Sequence, residues 1–162
     1  MHKLHELLRR LAEADVEFVL IGGYAAVMHG SAYVTNGVDV CAVLSPDNIE
    51  KIRRALADLN PVHRQSHRRL SFREVPAPGQ SLQNLYLETT DGIVDIITSV
   101  LGVGDFARLR ERALRAEVFG VSCAVISLED LIAAKEALGR EKDLLTAKEL
   151  RAIAAKRRLG GE

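Results

Sequence analysis

The chain is 162 residues long, 48% apolar and 27% charged, a composition ordinary for a globular domain that can bury a sizeable core. Its 22 basic and 22 acidic residues cancel, so any contact with nucleic acid has to come from a local patch and not from a global field. Few aromatics and no Trp argue against a stacking platform for single strands, and Cys41 and Cys123, without Cys-x-x-Cys or Cys/His spacing, imply neither zinc nor a disulfide framework.

The N-terminus is charged and amphipathic, unlike a signal peptide, and the longest apolar run, over 18–28, is too short to span a bilayer. One cytoplasmic domain over 1–162, without membrane contact, is the expectation. Residues 2–14 carry Leu4, Leu7, Leu8 and Leu11, the stripe of a helix packed on a core. A buried strand is predicted over 18–21, followed at once by Gly22 and Gly23 and then by a short helix over 24–29. Glycines at that turn leave the backbone open to a ligand's phosphates, and the free N–H groups of the helix point at whatever binds. A loop of small and polar residues over 30–37 leads to a second strand over 38–43, which carries Asp39 inside an apolar run. Phosphates beside a carboxylate on a strand point to a nucleotide held through Mg²⁺.

Ser45-Pro46-Asp47 starts a helix whose buried face is Ile49, Ile52, Leu56 and Leu59, and Asn60-Pro61 ends it. Residues 61–81 are the least regular part and concentrate His63, Arg64, His67, Arg68, Arg69 and Arg73. That charge suits a triphosphate or an RNA backbone; a solvated polar loop with a short strand is the other reading. Strands over 82–88 and 93–99 are joined by the turn Thr90-Asp91-Gly92. Asp95 lies in the apolar run 93–97, where an unpaired charge is costly, so it needs either a buried Arg or Lys partner or a metal. A helix is predicted over 106–116 and a hairpin, broken at Gly120, over 117–126. Ser127-x-x-Asp130 is a capping box opening a helix that ends at Gly139, and a last helix runs from 143 to about 159 with Lys156, Arg157 and Arg158 in solvent. Lys135 interrupts the expected inward face of Leu128, Leu131, Ile132 and Leu138, either snorkelling to water or reaching phosphates.

Gly22-Gly23, Ala25, His29-Gly30, Thr35 and Asp39 together resemble the nucleotidyltransferase superfamily, and within it the small bacterial branch that includes abortive-infection and toxin–antitoxin nucleotidyltransferases. There the stretch runs GG-x-A, then HG, then Arg-x-Thr-x-Asp-x-Asp. Tyr33 stands at the Arg position and Gly37 at that of the first Asp. Lys135, Arg140 and Asp143 match a C-terminal pattern of the same branch. The resemblance implies an α/β (α+β) fold, a small mixed sheet flanked by helices, with helices over 127–159 packed on the core. It implies nucleotidyl transfer from an NTP to a hydroxyl of RNA (tRNA) or protein, with two Mg²⁺ ions ~3.5–4 Å apart. Asp39 and Asp95 would hold metal, Lys135 would neutralise charge, and Gly22, Gly23, Thr35, Lys135, Arg140 and Asp143 would contact the nucleotide. A partner protein of a toxin–antitoxin pair is the further implied contact. Gly37 offers no side-chain ligand, and the alternative is therefore a catalytically inactive module that binds a nucleotide or a partner. No GxGxxG or GxxxxGK[ST] phosphate loop occurs.

Overall fold

Leu4, Leu7, Leu8 and Leu11 lie on one face of α1 (His2–Glu13) and are all buried, as their spacing requires. The computed structural model describes residues 2–118 and 120–160. After α1 come β1 (Val19–Ile21), α2 (Gly22–Met28), β2 (Gly37–Cys41) and α3 (Pro46–Leu56), which a 3-10 turn over Ala57–Leu59 extends. Ser45 caps α3 by accepting from the Asn48 N–H at 3.2 Å. Then follow β3 (Val62–His63), β4 (Asn84–Thr89), β5 (Gly92–Ile97), a small hairpin of β6 (Ser99–Val100) with β7 (Gly104–Asp105), and α4 (Phe106–Arg112). The chain ends with β8 (Leu114–Val118), β9 (Val121–Val125), α5 (Leu128–Leu138) and α6 (Glu141–Leu159).

Seven strands form a mixed sheet in the order β3-β4-β5-β2-β1-β9-β8. The central strand β2 runs antiparallel to β1 and parallel to β5, while β1 runs parallel to β9. Helix α1 packs on α3 and on the sheet; α5 packs on α6 and touches α2. Alternation decides which side each strand residue takes. On β5, Val94 and Ile96 are fully buried, so Asp95 projects from the other face; on β2, Val38 and Val40 are buried and Asp39 projects likewise. An acid in an apolar run is thus given a face of its own, away from the hydrocarbon layer.

Several boundaries differ from the sequence expectation. The helix expected over 106–116 stops at Arg112, and Leu114–Val118 pairs antiparallel with β9 instead. The run reads as helix locally, yet joining the sheet satisfies its backbone and buries Val118. Phe119, inside the expected 117–126 hairpin, lies outside the described residues. Helix α2 begins at Gly22 itself, so the glycines open the helix instead of preceding it. The β6/β7 hairpin has no counterpart in the sequence pattern, because two-residue strands leave no periodic signal. Leu138 is 47% exposed and does not face inward. Cys41 and Cys123 are buried free thiols, and burial pushes Cys41 up to about 11. No described helix is long and apolar enough to cross a membrane.

Candidate functional site

Strands β2 and β5 run parallel in a register that sets Asp39 directly beside Asp95. Register partners project from the same face, so the two carboxylates are neighbours. On the other side of β2, Ile21 pairs with Asp39, which puts Gly22 immediately over the acid. A Cβ on Gly22 would sit 2.3 Å from Asp39 Oδ2, and Gly22 has φ +69°, a conformation that side chains disfavour. Glycine is therefore required twice over. Gly22→Ala is expected to cost about 1–2 kcal/mol in backbone strain alone, and more as Asp39 is displaced. A fall in Tm of about 4 °C or more checks it, and an unchanged Tm would contradict the crowding.

The 31–36 loop closes on the same place. Thr35 Oγ1 donates to the Gly37 carbonyl at 3.1 Å and lies 3.1 Å from where a Cβ on Gly23 would be. Glu149 on α6 holds the loop by accepting from Ser31 Oγ at 2.5 Å and from the Ala32 N–H at 2.9 Å. Gly37 shares the Asp39 face, but its φ is not positive; the obstacle to a side chain there is Ile93, whose carbonyl oxygen would lie 3.1 Å from the added Cβ. Tyr33, at the Arg position of the resembled pattern, is exposed. His29 is buried, its Nε2 2.7 Å from the Ile126 carbonyl, and burial holds its pKa below the usual value. Arg157, expected in solvent, donates to the His29 carbonyl at 3.0 Å.

The Asp39 carboxylate accepts no hydrogen bond from any described residue. Burial, and then the charge of Asp95, raises its carboxyl above the ordinary range, partly offset by Lys135, Arg64 and Lys142. Asp95 differs: the Arg64 guanidinium binds it in a two-pronged pair, Nη1 to Oδ1 and Nη2 to Oδ2, the latter at 2.9 Å. The same guanidinium lies 5.6 Å from the centre of the Tyr86 ring. Arg64 enters because its N–H donates to the Tyr86 carbonyl at 3.0 Å, extending the β3/β4 pairing. Of the basic residues in 61–81 it alone lines the cavities that hold the two acids; Arg69 pairs with Glu88, and Arg73 donates to the Ala57 carbonyl. Nothing in the sequence distinguishes Arg64 from its neighbours.

Lys135 does not snorkel. Its side chain is only 12% exposed, and Nζ lies 3.7 Å from Oδ1 of Asp143. Asp143 is fully buried and also accepts from Arg140 Nε at 2.5 Å and Nη2 at 3.2 Å. That hydrogen-bonded guanidinium, with the Lys135 charge behind it, holds the Asp143 carboxyl below its usual range. Two adjoining cavities share Asp39, Asp95, Lys135 and Arg140. One, of about 260 Å³, is lined by Ile97, Val100, Leu101 and Leu131. The other, of about 410 Å³, is lined by Thr35, Gly37, Arg64, Lys142 and Thr146. In it four cationic side chains face two carboxylates, a field that favours a polyanion.

Among the described residues no group of three or more His, Cys, Asp or Glu side chains converges on a metal position. The unbonded Asp39 carboxylate with Asp95 beside it supplies hard oxygen donors for one divalent ion of the Mg²⁺ class; Gly37 adds none for a second.

Neither a family model nor a curated protein matches the sequence. Solved structures do. The lincosamide antibiotic adenylyltransferase LnuA, lincomycin-bound, superposes with a TM-score of 0.66 at 16% identity, covering 94% of this chain and 97% of its own. TM1012 of Thermotoga maritima, assigned as a nucleotidyltransferase, gives 0.54 at 19% identity, over 95% and 91%. The antibiotic-resistance factor ANT(2'')-Ia gives 0.53 at 13% identity, over 99% and 95%. At these identities the likeness speaks to architecture, and the chain has the nucleotidyltransferase-like α/β fold.

Proposed function

We propose that this protein transfers a nucleotide from an NTP to a hydroxyl, using the cleft over Asp39 and Asp95. The observation that carries this reading is the register that sets the two acids side by side under Gly22, opposite a cationic wall of Lys135, Arg140 and Lys142. The cationic wall receives the triphosphate, and Lys135, held in place by Asp143, presents a fixed positive charge to it. Asp39 and Asp95 would hold Mg²⁺, which when bound supplies charge neutralisation on the α-phosphate and the leaving pyrophosphate. The acceptor oxygen forms its bond to the α-phosphorus as the bond to the β-phosphate oxygen breaks. Pyrophosphate leaves with the electron pair, and the hydroxyl proton passes to Asp39, where burial and the neighbouring charge of Asp95 raise proton affinity. Gly22 and Gly23 leave room for the phosphates, and Thr35 and Arg140 border them.

The toxin-type resemblance puts RNA, such as tRNA, or a partner protein first as acceptor. The test is incubation with each labelled NTP, Mg²⁺ and a total cell extract separated into RNA, protein and small-molecule fractions. Label in RNA or protein is the expected result; label confined to small molecules would move the acceptor class toward that of LnuA, an antibiotic adenylyltransferase. A second reading is favoured by Gly37 and by the Arg64–Asp95 pair: a module that binds nucleotide without transferring it. NTP-dependent thermal stabilisation with no label transferred to any fraction would select it.

A further inference from the structure

We infer that Arg64 is a guanidinium latch on Asp95, which competes with a divalent ion for that carboxylate and so limits the site to weak, single-ion binding until the latch is released. The inference rests on the proposed metal-dependent reading of the cleft and adds to it a residue that the reading does not require.

Both oxygens of Asp95 are taken by the two prongs of Arg64, a geometry that a planar guanidinium fills and a lysine cannot. The Asp39 carboxylate, one strand away, accepts no hydrogen bond among the described residues. The two acids are therefore unequal: one is open to a cation, and the other already has one. Any ion that uses Asp95 has to displace the fork. Arg64 can leave without unfolding its surroundings, because its backbone is fixed separately by the bond from its N–H to the Tyr86 carbonyl. Its side chain is partly exposed and borders the 410 Å³ cavity that the cationic wall also lines. Lys135 makes no hydrogen bond to Asp95; its ion pair is with Asp143, at 3.7 Å. Arg64 also brings positive charge into the cavity that Gly37 lines without an acid. On release, the guanidinium remains in the cavity, free to meet phosphate oxygens bidentately.

The test uses Mn²⁺ alone, with loss of the free-ion EPR signal and isothermal calorimetry as readouts, on the full chain and on Arg64→Gln. Removing a competing charge in direct contact with a ligand carboxylate is expected to tighten Mn²⁺ binding about tenfold or more. A merely structural arginine would weaken it. Arg64→Lys, which keeps the charge and loses the fork, is expected to fall between the two, and it serves if Arg64→Gln melts early. Asp95→Asn in the Arg64→Gln background is expected to cancel the gain. Equal Mn²⁺ affinity in wild type and both Arg64 variants overturns the latch while leaving the metal reading standing. Absence of Mn²⁺ binding in every variant overturns both.

Discussion

Asp39→Asn is expected to reduce nucleotide transfer by about a hundredfold or more while leaving the protein as stable as before, or more so. The two effects separate because ionising Asp39 in the folded protein carries a cost. Burial and Asp95 raise its carboxyl, which means that the folded state binds that proton more tightly than the unfolded chain does. Stability contributed by the protonated form is present below the ordinary carboxylate value and declines as pH rises through the raised folded value. Asn keeps the shape and cannot ionise, so the variant escapes that decline. Melting temperature measured from pH 4 to 8 is expected to show the variant level with wild type at the acid end and equal or higher at neutral pH. A drop of several degrees at pH 7 would make Asp39 a structural acid and remove the basis for its catalytic role.

Asp143→Ala is expected to act in the opposite sense, through stability first. Its carboxylate is fully buried and is the shared counter-ion of Lys135 and Arg140, joining the end of α5 to the start of α6. Removing one member of such a cluster leaves Lys135 enclosed and unpaired, at a cost of about 3–5 kcal/mol. For a chain of this size that lowers Tm by on the order of 10 °C. Because Arg140 and Lys135 hold the carboxyl below its unfolded value, this stabilisation is present above the ordinary carboxylate range and is lost as pH falls through the lowered folded value. Wild type is thus expected to lose more stability than Asp143→Ala on acidification, so that the two melting curves converge in acid. Asp143→Asn separates charge from shape. If Asp143→Ala melted within a degree or two of wild type at pH 7, the cluster would be a surface arrangement without structural weight.

Much of the frame was legible in the chain because the relevant forces act over a few residues. The Leu4 to Leu11 stripe, the Ser45 and Ser127 caps, Gly139 in the left-handed region after α5, and the turn before Gly92 each rest on spacing, a hydrogen bond or a backbone angle within one element. Asp39 and Asp95 could likewise be picked out as acids on strands, since period-two alternation is a local property. What the alternation could not say is which strands would be neighbours. Only the parallel pairing of β2 with β5 brings together two acids 56 positions apart in the chain.

The same limit explains the misreadings. Residues 114–116 read as helix because their local preference points that way, and pairing with β9 overrides it. Asp143 is marked in the sequence only by its place in the C-terminal pattern, and the packing of α5 on α6 encloses it between Lys135 and Arg140. Arg64 was one basic residue among several until β3 joined the edge of the sheet and brought its side chain over Asp95. Spacing and capping within the chain identified most of the elements and the kinds of chemistry they carry. Only the tertiary structure decided which charges meet, because an ion pair depends on a separation of a few ångströms that long-range strand pairing sets and local periodicity does not encode.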